Sequence, residues 1–171
     1  MKKLTTISAL LLTALTTAPS IASDLDVDWF VGAGAGYQND DVSGLNATNG
    51  EDASFEIRGG AILEENHRLM ATYGYMDKLE QSKFLASYDY LLPVYNDINL
   101  FAGVSLGAAD SEVANESSTE FVWGGQVGAM YEINDNWTTE ISYRYLAQDF
   151  EENNVEIDNT QQVMVSFDYR F

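Results

Sequence analysis

Ten charged residues carry whatever chemistry this chain could do. Arg58, Arg68, Lys83, Arg144 and Arg170 fall on one parity of the alternating segments that contain them, and Glu56, Asp89, Glu132, Glu140 and Asp168 fall on the same side. In an interior that excludes water, charges must pair, because an isolated one costs several kcal/mol to desolvate. Two uses follow from such a set. It is either a fixed, ion-paired filling or a gate in which Arg144 exchanges acidic partners. Other chemistries lack parts. Activating water or a nucleophile needs a His beside a Ser or carboxylate. The one histidine, His67, follows Glu64-Glu65-Asn66 with no second His for a metal and no nucleophile, and it reads as a solvated turn residue. Glu151-Glu152 has nothing to fix the spacing that glycoside hydrolysis requires. The acidic stretches lack EF-hand spacing, and the absence of cysteine removes thiolate sites. No catalytic residue, metal or cofactor is therefore expected. Weak divalent-cation binding by the acidic stretches is the alternative to plain solvation.

The elements that must position these charges alternate with period two, the signature of strands with one apolar and one polar face. Eight such segments occur, at 28–37, 53–63, 68–76, 82–92, 98–108, 120–133, 137–147 and 161–171. The last is unbroken: Val163, Val165, Phe167, Tyr169 and Phe171 oppose Gln162, Met164, Ser166, Asp168 and Arg170. Most segments have about ten residues, enough for a tilted strand to cross a bilayer core. The even count predicts an all-β, antiparallel, up-and-down barrel, whose interior at eight strands is just wide enough for side chains to fill. Nine glycines share the inward parity, Gly32, Gly34, Gly36, Gly60, Gly74, Gly103, Gly107, Gly124 and Gly128, leaving room for long charged side chains. Polar, acidic connections are expected at 39–52, 110–119 and 148–160, with a shorter one at 77–81. Tight turns are expected at 64–67, 93–97 and 134–136.

Met1-Lys2-Lys3, an apolar run from Leu4 to Thr17 and the small residues of Ser20-Ile21-Ala22 read as a secretory signal peptide, 1–22, leaving a barrel domain at 23–171. The run is shorter than the ~20 residues of a spanning helix. Of 27 acidic and 8 basic residues, Lys2 and Lys3 leave with the signal, so the mature net charge is 6 minus 27, or −21. That charge repels phosphate and excludes nucleic-acid binding. Outward aromatics gather at the segment ends, with Trp29, Tyr131, Trp137, Tyr169 and Phe171 at one rim and Tyr37, Phe55, Tyr75, Phe84, Phe121, Trp123 and Tyr145 at the other. A bilayer selects rings at both headgroup levels with aliphatic residues between.

The opening Trp29-Phe30-Val31-Gly32-Ala33-Gly34, the hairpin from Tyr131 to Tyr145 and the closing Phe167-Asp168-Tyr169-Arg170-Phe171 carry a resemblance. The chain resembles the small eight-stranded outer-membrane barrels of the OmpA transmembrane-domain and OmpX kind. That resemblance implies a monomer crossing the Gram-negative outer membrane, with both mature ends periplasmic and with outer-membrane lipid and lipopolysaccharide around it. It implies that Phe167, Tyr169 and Phe171 form the signal read by the barrel-assembly machinery. The family carries inward charges on the second, fourth, sixth and seventh strands, where Glu56, Lys83, Glu132 and Arg144 fall here, Glu132 nearer the periplasmic mouth. No peptidoglycan-binding domain is evident, so a tether to the cell wall is not expected. The expected function is non-enzymatic, structural or interactive at the cell surface through acidic loops, with no extracellular ligand specified. The alternatives are a narrow, porin-like channel gated by lumen salt bridges and, third, a lipid-modifying enzyme.

Overall fold

A computed structural model describes residues 26–44, 50–76, 81–113, 116–152 and 155–171. The eight alternating segments are eight antiparallel strands, β1 (Val27–Gly44), β2 (Gly50–Leu63), β3 (His67–Met76), β4 (Gln81–Tyr95), β5 (Ile98–Val113), β6 (Glu116–Glu132), β7 (Trp137–Glu152) and β8 (Val155–Arg170). Each pairs with the next, and β8 closes on β1 to make a barrel. Closure leaves no open sheet edge across the apolar band, which lipid demands because it offers no hydrogen bonds.

The ladder pairs set the stagger. Starting at Phe30, the partners run Gly60, Met70, Ser87, Ser105, Gly124, Leu146 and Thr160, and return to β1 at Asp40. One circuit thus climbs from residue 30 to residue 40, a shear of ten. Eight strands with that stagger tilt by about 35–45° from the axis. Inward and outward positions follow the expected parity on all eight strands. Among the described side chains, outward strand positions hold no Asp, Glu, Lys or Arg.

Two expectations change. The segments at 39–52, 110–119 and 148–160, read as loops, are mostly strand: β1 runs to Gly44, β2 starts at Gly50, β5 and β6 meet at Val113↔Glu116, and β7 and β8 meet at Glu152↔Val155. Their acidic composition reflects strands without an apolar face, so period two is absent although the ladder continues. Pairing of β6 with β7 nevertheless stops at Val122↔Gln148, so the β5–β6 hairpin and the β7–β8–β1–β2 sheet separate above it. The second change is at the turn after β2, which is one residue shorter than expected because His67 opens β3. Positive φ falls on Glu64 (51°) and Glu65 (62°). The Asn66 amide donates to the Leu63 carbonyl at 3.3 Å, and its side chain caps the Leu91 carbonyl at 2.9 Å, so the tertiary contact decides which residues take the strained conformation.

The carboxyl end is bound into this ladder. The Phe171 amide donates to Trp29 at 3.0 Å, and the Arg170 amide donates to Asn136 at 2.7 Å. Outside, Trp137 meets Tyr169 edge-on (5.1 Å) and Tyr169 stacks on Phe171 (6.5 Å). Deleting Phe171 removes the final rung and the end of that ring ladder. The expected result is normal secretion with loss of the heat-modifiable, membrane-inserted form. Normal outer-membrane levels of the folded form would rule this out.

Candidate functional site

The inward parity of eight strands fills the lumen in layers. At the end that carries the tight turns, where β1 starts and β8 ends, Phe30, Ile62, Met70, Leu91, Phe101 and Met130 form a buried apolar cluster. Toward the extended end, Leu85, Ala109, Val122 and Leu146 form a second. Most of the charges lie between them, while Lys83 stands opposite Ala109 of the second cluster. The described, buried ionisable side chains are Arg58, Arg68, Lys83 and Arg144 against Glu56, Asp89, Glu140 and Asp168, four of each sign. The sequence anticipated the polar set but not the apolar layers, which are single inward residues scattered over several strands.

Seven of these eight charges, Arg58, Arg68, Arg144, Glu56, Asp89, Glu140 and Asp168, join one connected network. Arg58 holds Asp168 by two hydrogen bonds, from Nε at 2.8 Å and Nη2 at 2.6 Å. Its third nitrogen, Nη1, donates to Glu140 Oε1 at 2.8 Å. Glu140 reaches Arg68 with its other oxygen, and Arg68 Nε donates to Asp89 at 2.9 Å. Gln126 continues the chain: its amide donates to Asp89, and its carbonyl accepts from Arg144 Nε at 2.8 Å. Arg144 then donates to Glu56 at 3.3 Å and to Gln162 at 3.4 Å, and Gln162 donates to Gln38 at 2.7 Å. Glu56 also stands 4.0 Å from Arg58, which closes the circuit. The forked Arg58–Asp168 pair is the strongest geometry in the set, because two parallel bonds fix both planes.

Glycines make the long reaches possible. Gly32 on β1 lies between Arg58 on β2 and Asp168 on β8 in the ladder. A Cβ there would strike the Asp168 carboxylate and the Phe167 carbonyl. Gly103 separates Asp89 from Gln126 in the same way. A missing side chain on the middle strand lets partners two strands apart meet.

The other candidate residues stand elsewhere. Arg170 and Glu132 pair at 3.2 Å at the turn-end rim, with Asn99 donating to Glu132 at 3.1 Å, outside the central network. Lys83 shares a cavity with Glu56 and Arg144, bounded by Gln38, Ser54, Thr72 and Gln162 as well; its volume is about 10 Å³, no more than one water. Phe167, Tyr169 and Phe171 face outward and exposed. Sequence reasoning missed Gln126, Gln162 and Gln38. Their only signal was inward parity, and a neutral amide gives no hint that it links charges. Arg68, though counted with the inward bases, proves central, stacked at 4.5 Å over the Phe101 ring. His67 is not a free turn residue but the first of β3, with Nδ1 at 2.7 Å from the Tyr88 hydroxyl.

A sequence model described as "Outer membrane protein beta-barrel domain" matches residues 7–171. The chain belongs to that family. This outer-membrane barrel is similar in structure to Neisserial surface protein A, with 18% identity over 84% of this chain and 97% of that one and a TM-score of 0.64. It is similar to outer membrane protein H of P. aeruginosa at 25% identity over 84% and 99%, TM-score 0.63. The attachment invasion locus protein of Yersinia pestis aligns at 12% identity over 85% and 99%, TM-score 0.53. Among curated proteins no match was found. Family membership places the barrel in the outer membrane.

Proposed function

We propose that this barrel is a closed, non-catalytic element of the outer membrane whose extended, acidic end makes contacts at the cell surface, with both ends of the mature chain in the periplasm. The lumen carries this reading. Its described buried charges balance, its polar network is continuous from Asp168 to Gln38, and apolar clusters lie toward both ends. At the turn end, the gap among Phe30, Ile62, Arg68, Met130, Thr138, Asp168 and Arg170 has no room for water. Lipid-modifying chemistry finds no support at His67, which packs against Tyr88 and Tyr90.

One observation favours the channel alternative. The carboxylate partner of Arg144, Glu56, is held at 3.3 Å beside the small cavity and stands 4.0 Å from Arg58, so its joints are among the loosest in the network. Planar-bilayer recording separates the two. Wild-type barrels should stay silent, and Glu56→Ala should lower stability while the bilayer remains silent, since Arg144 keeps Gln126 and Gln162. Replacing the acidic residues of 148–158 by amides should leave the unfolding midpoint unchanged but alter cell adhesion or autoaggregation. Regular wild-type openings that vanish in Arg144→Gln would replace the closed reading with a pore.

A further inference from the structure

The membrane-facing surface has one polar seam. Among the described side chains at outward strand positions, carboxamides occur only at Asn39, Asn159 and Gln161, and all three lie on the adjacent strands β1 and β8. Gln161 stands opposite Asn39 across β1–β8 and opposite Tyr145 across β7–β8. The Tyr143 hydroxyl donates to Gln161 Oε1 at 2.9 Å, and Gln161 Nε2 donates to Asn159 Oδ1 at 3.4 Å. These bonds hold the Gln161 amide in one orientation while Asn39 stays exposed beside it. Tyr37 and Tyr145 flank the seam, both exposed.

A barrel's outer surface is covered by lipid. Amides facing acyl chains would go unpaired at a cost of a few kcal/mol. The seam instead sits in the aromatic belt of the extended end, where lipid presents its headgroup. Which headgroup follows from chemistry. A phosphodiester only accepts hydrogen bonds and is anionic, so it would call for Lys or Arg, and the described outward positions have neither. Carboxamides both donate and accept, and so do sugar hydroxyls and N-acyl amides. We propose that this seam binds the N-acylated sugar headgroup of an outer-leaflet glycolipid. Asn39, Asn159 and Gln161 pair with its hydroxyl and amide groups, and the Tyr37 and Tyr145 rings lie against its C–H faces. The partner rests on the reading that the extended end faces outward.

The probe is deep-rough lipopolysaccharide in phospholipid nanodiscs holding the full mature barrel, with and without EDTA. The side-chain amide resonances of Asn39, Asn159 and Gln161 should shift with lipopolysaccharide, and the shifts should persist in EDTA. The Asn39→Leu/Gln161→Leu double variant should weaken binding by about fivefold per lost hydrogen bond. Ser82→Leu, on the outward face of β4, should leave binding unchanged. Apolar substitutions suit this face, and heat-modifiability verifies folding of each variant. Unchanged binding in the double variant, shifts abolished by EDTA, or equal shifts with phospholipid alone would each overturn the proposal. Orientation is read separately: the chain has no cysteine, so Asn46→Cys should be labelled by an impermeant maleimide on intact cells. Nanodiscs present glycolipid on both faces. Amide-dependent binding without cell labelling would therefore overturn the orientation and the outer-leaflet partner with it. Labelling without amide-dependent binding would overturn the seam alone.

Discussion

Glu140→Ala should cost roughly 3–5 kcal/mol of barrel stability, the largest loss among the lumen carboxylates. Glu140 hydrogen-bonds two arginines through separate oxygens, Arg58 and Arg68, at shorter range than Glu56 reaches Arg144 and Arg58, and it links β7 to β2 and β3. Its removal leaves two guanidinium groups short of a partner in an interior where both are almost wholly covered. Arg58 keeps Asp168 and Arg68 keeps Asp89, so the barrel should still form. Glu140→Gln retains the shape and one acceptor and should lie between wild type and alanine. Urea unfolding in lipid vesicles, followed by the fluorescence of the outward Trp29, Trp123 and Trp137, measures this directly. The rim variant Glu132→Ala supplies the scale, because partly exposed pairs are worth about 0–1 kcal/mol. If Glu140→Ala lost no more than Glu132→Ala, the central network would have to be solvated and the closed lumen abandoned.

The second large effect is on the opposite face. Val127→Arg should destabilise by about 2–4 kcal/mol, since it places a charge near the bilayer midplane. Val127 lies on β6 between the outward Ala102 of β5 and Tyr143 of β7, with half of its surface exposed to lipid. Ile133, on the same face and six residues nearer the turns, donates its amide to the Trp137 carbonyl at 2.8 Å. Ile133→Arg reaches the headgroup level, where the cost falls to about 0–1 kcal/mol. The contrast is the test, because both changes add one identical side chain, one within β6 and one just past its end. Equal losses would mean that the hydrophobic band does not run through Val127.

Period-two alternation was enough to find eight strands, assign the described inward charges and place the belt aromatics outside, with Phe30 and Phe101 inward. Parity is a local property: a strand that faces lipid on one side and protein on the other must alternate, whatever its neighbours do. The same logic explains where reading stopped. Residues 39–44, 110–113 and 148–152 lie on strands that have left the apolar band, so no alternation marks them, and only ladder pairing reveals them. The terminal aromatics were legible because they sit on a strand that keeps its pattern to Phe171.

Which charges meet was beyond the sequence. Arg58 and Asp168 are 110 residues apart, and Arg58 and Glu140 are 82 apart. Their meeting depends on the shear of ten, which sets the height of each strand against the next, and on Gly32 leaving β1 bare between β2 and β8. The sequence by itself therefore determined the faces, the strand count and the charge balance of the lumen. The tertiary structure alone decided that Glu140 joins two arginines, that Gln126 carries the network from Asp89 to Arg144, and that apolar clusters lie toward both ends of the lumen. Parity is set by neighbours in the chain, whereas height in a closed barrel is set only when all eight registers are satisfied together.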